Sequence, residues 1–185
     1  MGAGRRRTRV LLLGLVVAVV AAGVAVAWFQ PQKLLIDQRV DEALPGQVTP
    51  SEGPATTAGK DPAATPAPSG GPVTVATGRF RSLGHTTSGR VAVLEVDGGR
   101  RHLRLDDLAT SNGPDLFVYL SAAPADGPRD RFDDEFLSLG RLKANQGNQN
   151  YEIAAGTRLD RYRSVVIWCK RFSYAFGAAE LEPVR

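Results

Sequence analysis

A chain of 185 residues with one cysteine, 43% hydrophobic residues and a formal net charge of +4 has room for one folded domain and none for an internal disulfide framework. Arg5, Arg6, Arg7 and Arg9 match the whole of that charge, so the rest of the chain is neutral, and the pI of about 9.6 does not signal a nucleic-acid surface. The nearest thing to a basic cluster, Arg100, Arg101 and Arg104, reads as a solvated strand edge, where charge discourages edge-to-edge pairing.

In chain order, residues 1–9 form a basic tail and Val10 to Phe29 an uncharged apolar run broken only by Gly14 and Gly23. Wound as a helix, such a run spans roughly 30 Å, about one hydrocarbon core. No Lys or Arg follows it until Lys33, so the positive-inside rule places the N-terminus in the cytoplasm and everything beyond residue 29 outside. A single-pass signal-anchor in the cell membrane is the expected reading. Cleavage after Ala25-Val26-Ala27 is the competing one, and both export the remainder. The juxtamembrane segment, residues 30–44, carries Leu34, Leu35, Val40 and Leu44 among charges, a weak pattern that suits a short helix near the membrane surface. Residues 45–72 are built of Pro, Gly, Ala, Thr and Ser and lack the apolar surface to offset ordering entropy. They are expected to be a disordered linker whose role is reach, holding a domain away from the bilayer.

Residues 73–185 have the size of one domain and read as nearly all strand. Val73, Val75 and Thr77 alternate with smaller residues, and Val91, Val93 and Glu95 alternate with Ala92, Leu94 and Val96. Asp97-Gly98-Gly99 is a turn signal, which predicts a hairpin from about Arg90 to Leu105. Asn112-Gly113-Pro114 opens a further turn before Leu116 to Leu120, and strands are expected near Phe136 to Leu142, Tyr151 to Ile153 and Val165 to Phe176. With no helical period after Leu44, the predicted class is mainly β, an antiparallel β-sandwich ectodomain carried by one N-terminal transmembrane helix and a Pro-rich linker.

Catalytic signatures are missing from the sequence. It has no His-Glu-x-x-His, no Gly-x-Ser-x-Gly, no phosphate loop and no paired-cysteine metal motif, so no hydrolytic or transferase site is assembled and no cofactor or metal is identified. Asp126, Asp130, Asp133, Asp134 and Glu135 lack calcium-loop spacing and read as a solvated loop. His102 lies opposite the leucines of its strand and is expected to be exposed. His85 sits in a glycine-punctuated loop, where function is often carried.

An ordered series of motifs resembles the electron-transfer DM-thirteen domain. It begins with Gly78-x-Phe80, His85 and Gly89, continues through Leu103-x-Leu105 with Asp107, and reaches Asn112-Gly113-Pro114-Asp115-Leu116-x-Val118-Tyr119-Leu120-Ser121. Leu139-Gly140-x-Leu142-Lys143, Gly147-x-Gln149-x-Tyr151-x-Ile153, Ser164 to Lys170 with Phe172, then Phe176-Gly177 and Leu181 complete it. The resemblance spans roughly Val73 to Leu181. It implies a β-sandwich module, often membrane-attached or joined to DOMON-type domains, with a characteristic cysteine proposed for redox chemistry, which matches Cys169.

Read from the residues alone, Cys169 stays open between an inert core residue, an intermolecular partner and a used thiol. It lies near the end of a buried stretch beside Lys170 and Arg171, cations that favour a thiolate if they approach the sulfur, yet lone cysteines also serve as small hydrophobes. Two functions follow. The first is a membrane-tethered redox module using Cys169 with an envelope redox protein. The second is a non-enzymatic envelope-binding or adhesion module whose loop residues His85, Asn112 and Asp115 meet a polymer or protein. The expected contacts are the membrane through Val10 to Phe29 and no nucleic acid.

Overall fold

The computed structural model describes residues 12, 14–17, 19, 20, 23, 37–46 and 71–184. The chain divides into two units, residues 1–36 and 37–185. In the first, the described residues are helical with exposed side chains, and among the described residues no helix is long and apolar enough to cross a membrane. The basic tail 1–9, most of the predicted anchor Val10 to Phe29 and residues 47–70 of the linker lie outside the described residues.

The second unit is mainly β, as expected. Its strands are β1 (Arg39–Asp41), β2 (Val73–Ser82), β3 (Thr87–Val96), β4 (Arg100–Thr110), β5 (Leu116–Ser121), β6 (Phe136–Arg141), β7 (Gln146–Ile153), β8 (Ser164–Cys169), β9 (Tyr174–Glu180) and β10 (Glu182–Pro183). They form one curled open sheet in the order β1-β7-β4-β3-β2-β9-β8-β5-β6, with β10 on β2. This differs from two separate sheets facing each other, and β2 is the reason. Its first part pairs with β3 through a bulge between Thr74 and Ala76, while Phe80, Arg81 and Ser82 pair with β9. Gly78 sits at the crossover, where a side chain would run into the Glu180 carbonyl. One strand thus belongs to both halves of the curl.

Alternation places the core inside that curl. Val91 and Val93 of β3, Leu103 and Leu105 of β4 and Tyr151 and Ile153 of β7 face Leu116, Val118 and Leu120 of β5 and Val165, Ile167 and Cys169 of β8 in one buried cluster. The predicted hairpin closes at Asp97–Gly99, where Gly98 and Gly99 adopt φ of 77° and 73°. The outer face of β5, β8 and β9 is buried too. Ala125 and Phe132, from the loop after β5, cover Tyr119, Val166, Trp168, Ala175 and Ala178 there. That double burial explains why Ser164–Cys169 reads as a continuous apolar run rather than an alternating one. The acidic loop is largely solvated as expected, but Phe132 is fully buried within it.

The run from Val165 to Phe176 is two strands, not one. Lys170, Arg171, Phe172 and Ser173 form an exposed turn with Ser173 at φ 46°, so the chain reverses and Tyr174 becomes the cross-strand partner of Cys169. Solvation of two adjacent cations at the strand end outweighs continuation of the apolar pattern.

Residues 30–36 of the segment where a short helix was expected lie outside the described residues, and residues 37–44 form instead, with Pro45 and Gly46, an extended strap on the sheet edge. β1 pairs in parallel with β7, Val40 opposite Gly147, and three acidic side chains fix it. The Asp37 carboxylate accepts hydrogen bonds from Asn145 Nδ2 (2.8 Å) and Asn112 Nδ2 (3.0 Å). Asp41 accepts from Asn148 Nδ2 (2.9 Å). Glu42 accepts from the Asn150 amide (2.7 Å) and Lys143 Nζ (2.7 Å). Buried Arg104, ion-paired to Asp106 at 2.8 Å, donates to the Glu42 carbonyl at 2.7 Å. Burial alone would raise the Glu42 pKa, but Lys143 and the Asn150 amide hold it below its ordinary value of 4.5. Arg39 beside Asp41, with Asn148, lowers that carboxylate as well. A depressed carboxylate pKa contributes stability that is present above the unfolded value and lost as pH falls through the folded one. On acidification below 4.5, the Gln146, Asn148 and Asn150 amides are therefore expected to lose exchange protection before those of Val166 and Ile167. Simultaneous loss would show that these carboxylates do not hold the strap.

The described residues on either side of the Pro-rich stretch, Gly46 and Gly71, both belong to this one unit.

Candidate functional site

Cys169 ends β8, with Leu116 of β5 and Tyr174 of β9 as its cross-strand neighbours. Its thiol is free and 0% exposed, packed in the inner cluster with Leu116 and Phe176. The two cations that follow it in sequence do not reach the sulfur face. Both are exposed, and Lys170 Nζ lies 5.6 Å from the Phe117 ring centroid.

Three connections gather at this end of the curl: residues 83–86, 111–115 and 170–173. His85 is exposed and lays its ring on Phe176, centroids 3.9 Å apart, with Tyr174 edge-on at 6.1 Å. Its loop is fastened to β9 by Leu83 N to Phe176 O (3.0 Å) and His85 N to Phe176 O (3.3 Å). Gly84 has no alternative, because a side chain there would enter the Tyr174 ring. At the start of β3, Thr87 joins Ser82 through its amide (2.9 Å) and Thr110 through its hydroxyl (2.8 Å). The loop is braced at its base.

The Asn112 turn meets the same aromatic, since Gly113 packs against Leu116 and the tip of the Phe176 ring too closely for a side chain. Asn112 itself turns outward to Asp37 of the strap. Asp115 is occupied as well. Its carbonyl accepts the Lys170 amide (2.9 Å), while its buried Oδ1 lies 2.7 Å from Arg141 Nη2 as an ion pair outside hydrogen-bond geometry. Of the sequence-predicted site residues, His85 and the turn carrying Asn112 are thus brought over the apolar layer that contains Cys169. Asp115 supports the hairpin end instead.

Chemically the arrangement is an apolar enclosure with a polar rim. Among the described residues no group of three or more His, Cys, Asp or Glu side chains gathers to hold a metal. The residue that sequence reasoning undervalued is Phe176, which joins the thiol cluster to the His85 ring. The signal available for it was the aromatic-Gly pair Phe176-Gly177, where the missing side chain makes room for Thr87. His102, expected to be exposed, is half-buried, and its Nδ1 has no hydrogen-bond partner among the described residues.

A family model described as Electron transfer DM13 matches residues 79–181. The matched region contains Cys169, His85, Asn112 and Asp115 and excludes the strap. No curated protein and no solved structure matches the chain.

Proposed function

From the premise that the chain belongs to the Electron transfer DM13 family, we propose that it is a membrane-tethered extracytoplasmic electron-transfer module whose redox group is the Cys169 thiol. The family match across the thiol and the loops above it carries this reading. The basic tail and the apolar run from Val10 to Phe29 support the tether and the orientation.

With one cysteine in the chain, the partner must supply a disulfide. The Cys169 thiolate attacks one sulfur of that disulfide. A new S–S bond forms as the old one breaks, and the electron pair leaves on the partner's second sulfur, which takes up a proton. Cys169 is thereby oxidised into a mixed disulfide and the partner's second sulfur is reduced. A fully buried thiol performs this only when the His85 loop or the 170–173 hairpin opens, so opening gates the exchange.

The same burial favours a second reading. In that one the cysteine is a core residue, and loops 82–89 and 112–115 contact a polymer or protein of the envelope. A membrane-impermeant maleimide applied to intact cells separates the two. The redox module predicts labelling of Cys169 in the native chain at a rate faster than global unfolding, and a mixed disulfide that the Cys169→Val variant no longer forms. Labelling only after denaturation, with a permeant maleimide equally excluded from the native chain, would sink the redox reading. Cys169→Val adds a methyl to a packed site at a cost of about 1–3 kcal/mol, so folding of the variant is checked first.

A further inference from the structure

The end of the curl opposite Cys169 is open. There β8 begins at Ser164, paired with Glu180, and a cavity of about 440 Å³ is framed by β2, β3, β4, β9, β10 and the segment before β8. That volume lies within the range of small-molecule sites. Its floor is apolar, made by Val75, Val93, Leu159, Tyr162 and Leu181, and continuous with the main core.

The inward rows of two paired strands end in charge at this mouth. On β3 the row runs Val91, Val93, Glu95, and on β4 it runs Leu105, Leu103, Arg101, with Glu95 and Arg101 directly opposite. Two apolar steps followed by a charge put a carboxylate and a guanidinium at the rim of a hydrophobic floor. Most of the rim charge is already committed. Arg101 Nη2 donates to the Thr157 carbonyl (3.0 Å), and Arg163 Nη2 pairs with Glu180 Oε1 (3.1 Å). Glu180 Oε2 accepts the Ala125 amide (2.6 Å), and Asp160 pairs with Arg158 (3.1 Å). Glu95 alone among these charged groups has neither a hydrogen bond nor an ion pair with any described residue. Three acidic and two basic residues line the cavity, so its balance is negative.

We propose that this cavity is a binding site for a small amphipathic amine, its apolar body on the Val93–Tyr162 floor and its ammonium at the Glu95 carboxylate. An anionic amphiphile is disfavoured, because both arginines already donate and three carboxylates surround the mouth. The site is independent of Cys169 and of any redox role.

Isothermal titration of the full chain with three probes of matched shape tests it: 2-phenylethylamine, 2-phenylethanol and phenylacetate. The amine is expected to bind saturably at one site, more tightly than the alcohol, and phenylacetate not at all. Glu95→Gln removes one charge-assisted contact and is expected to weaken the amine about tenfold, leaving the alcohol unchanged. Glu95 is exposed and makes no contact that folding needs, so the variant keeps the wild-type unfolding transition. Equal binding of phenylacetate, an amine affinity untouched by Glu95→Gln, or no binding of the amine at millimolar concentration would each overturn the proposal. The last is the result expected if Glu95 closes onto Arg101 in solution.

Discussion

Gly147→Val is expected to detach the strap and cost about 2–4 kcal/mol, combining backbone strain with lost edge hydrogen bonds. Gly147 has φ 98°, and a side chain there would enter the Val40 carbonyl, the group β1 presents to β7. A β-branched residue tolerates neither the angle nor the contact. Gly140→Val is the matched control, because Gly140 has φ 115° with nothing near its missing side chain. Both variants carry the strain, and only Gly147→Val loses the strap. Denaturant unfolding should rank Gly147→Val as the less stable, and amide exchange should show the Glu42 amide, bonded to Asn148 O at 2.9 Å, deprotected in that variant alone. Equal effects of the two substitutions would mean that the strap contributes nothing to stability.

Phe132→Ala is expected to cost about 3–5 kcal/mol, the range for removing a fully buried aromatic. Phe132 is 0% exposed and is the main anchor holding the 122–135 loop over Trp168 and Tyr119. Tyr119 has its phenol pushed up chiefly by that burial, with Asp133 and Asp115 adding to it. Losing the anchor lets water reach the outer face of β8, so Trp168 emission should move to longer wavelength, read in a Trp28→Phe background. A variant as stable as the parent, with unshifted emission, would show that the loop does not cover the sheet.

What could be read from the sequence was whatever obeys a local rule. The period-two rows Val91-Val93 and Leu103-Leu105, the Asp97-Gly98-Gly99 turn and the buried stretch ending at Cys169 stand where alternation and turn chemistry put them. The strap was not legible. Its partners are remote, Asp41 bonding Asn148 from 107 residues away, and its contacts are polar, so no hydrophobic period marks it. The β8–β9 reversal was hidden because Phe172 and Tyr174 continue an aromatic pattern, although both remain substantially exposed. At the candidate site, Cys169 and His85 were visible as residue types in suggestive places. Their link through Phe176 was not, because it needs the hairpin to turn that ring inward beside the thiol while the β2–β3 loop sets His85 upon it.

The placement of residues 37–46 on the same body as residues 71–184 bears on how the folded unit responds to proteolysis. A protease cutting anywhere in 47–70 severs the chain but not the molecule, because the strap stays seated on β7 by its ladder and its carboxylates. The product is a nicked complex that separates in denaturing gels yet migrates as one species when native. Parting the folded unit from residues 1–36 in a single cut requires cleavage on the N-terminal side of Asp37, in front of the docked strand.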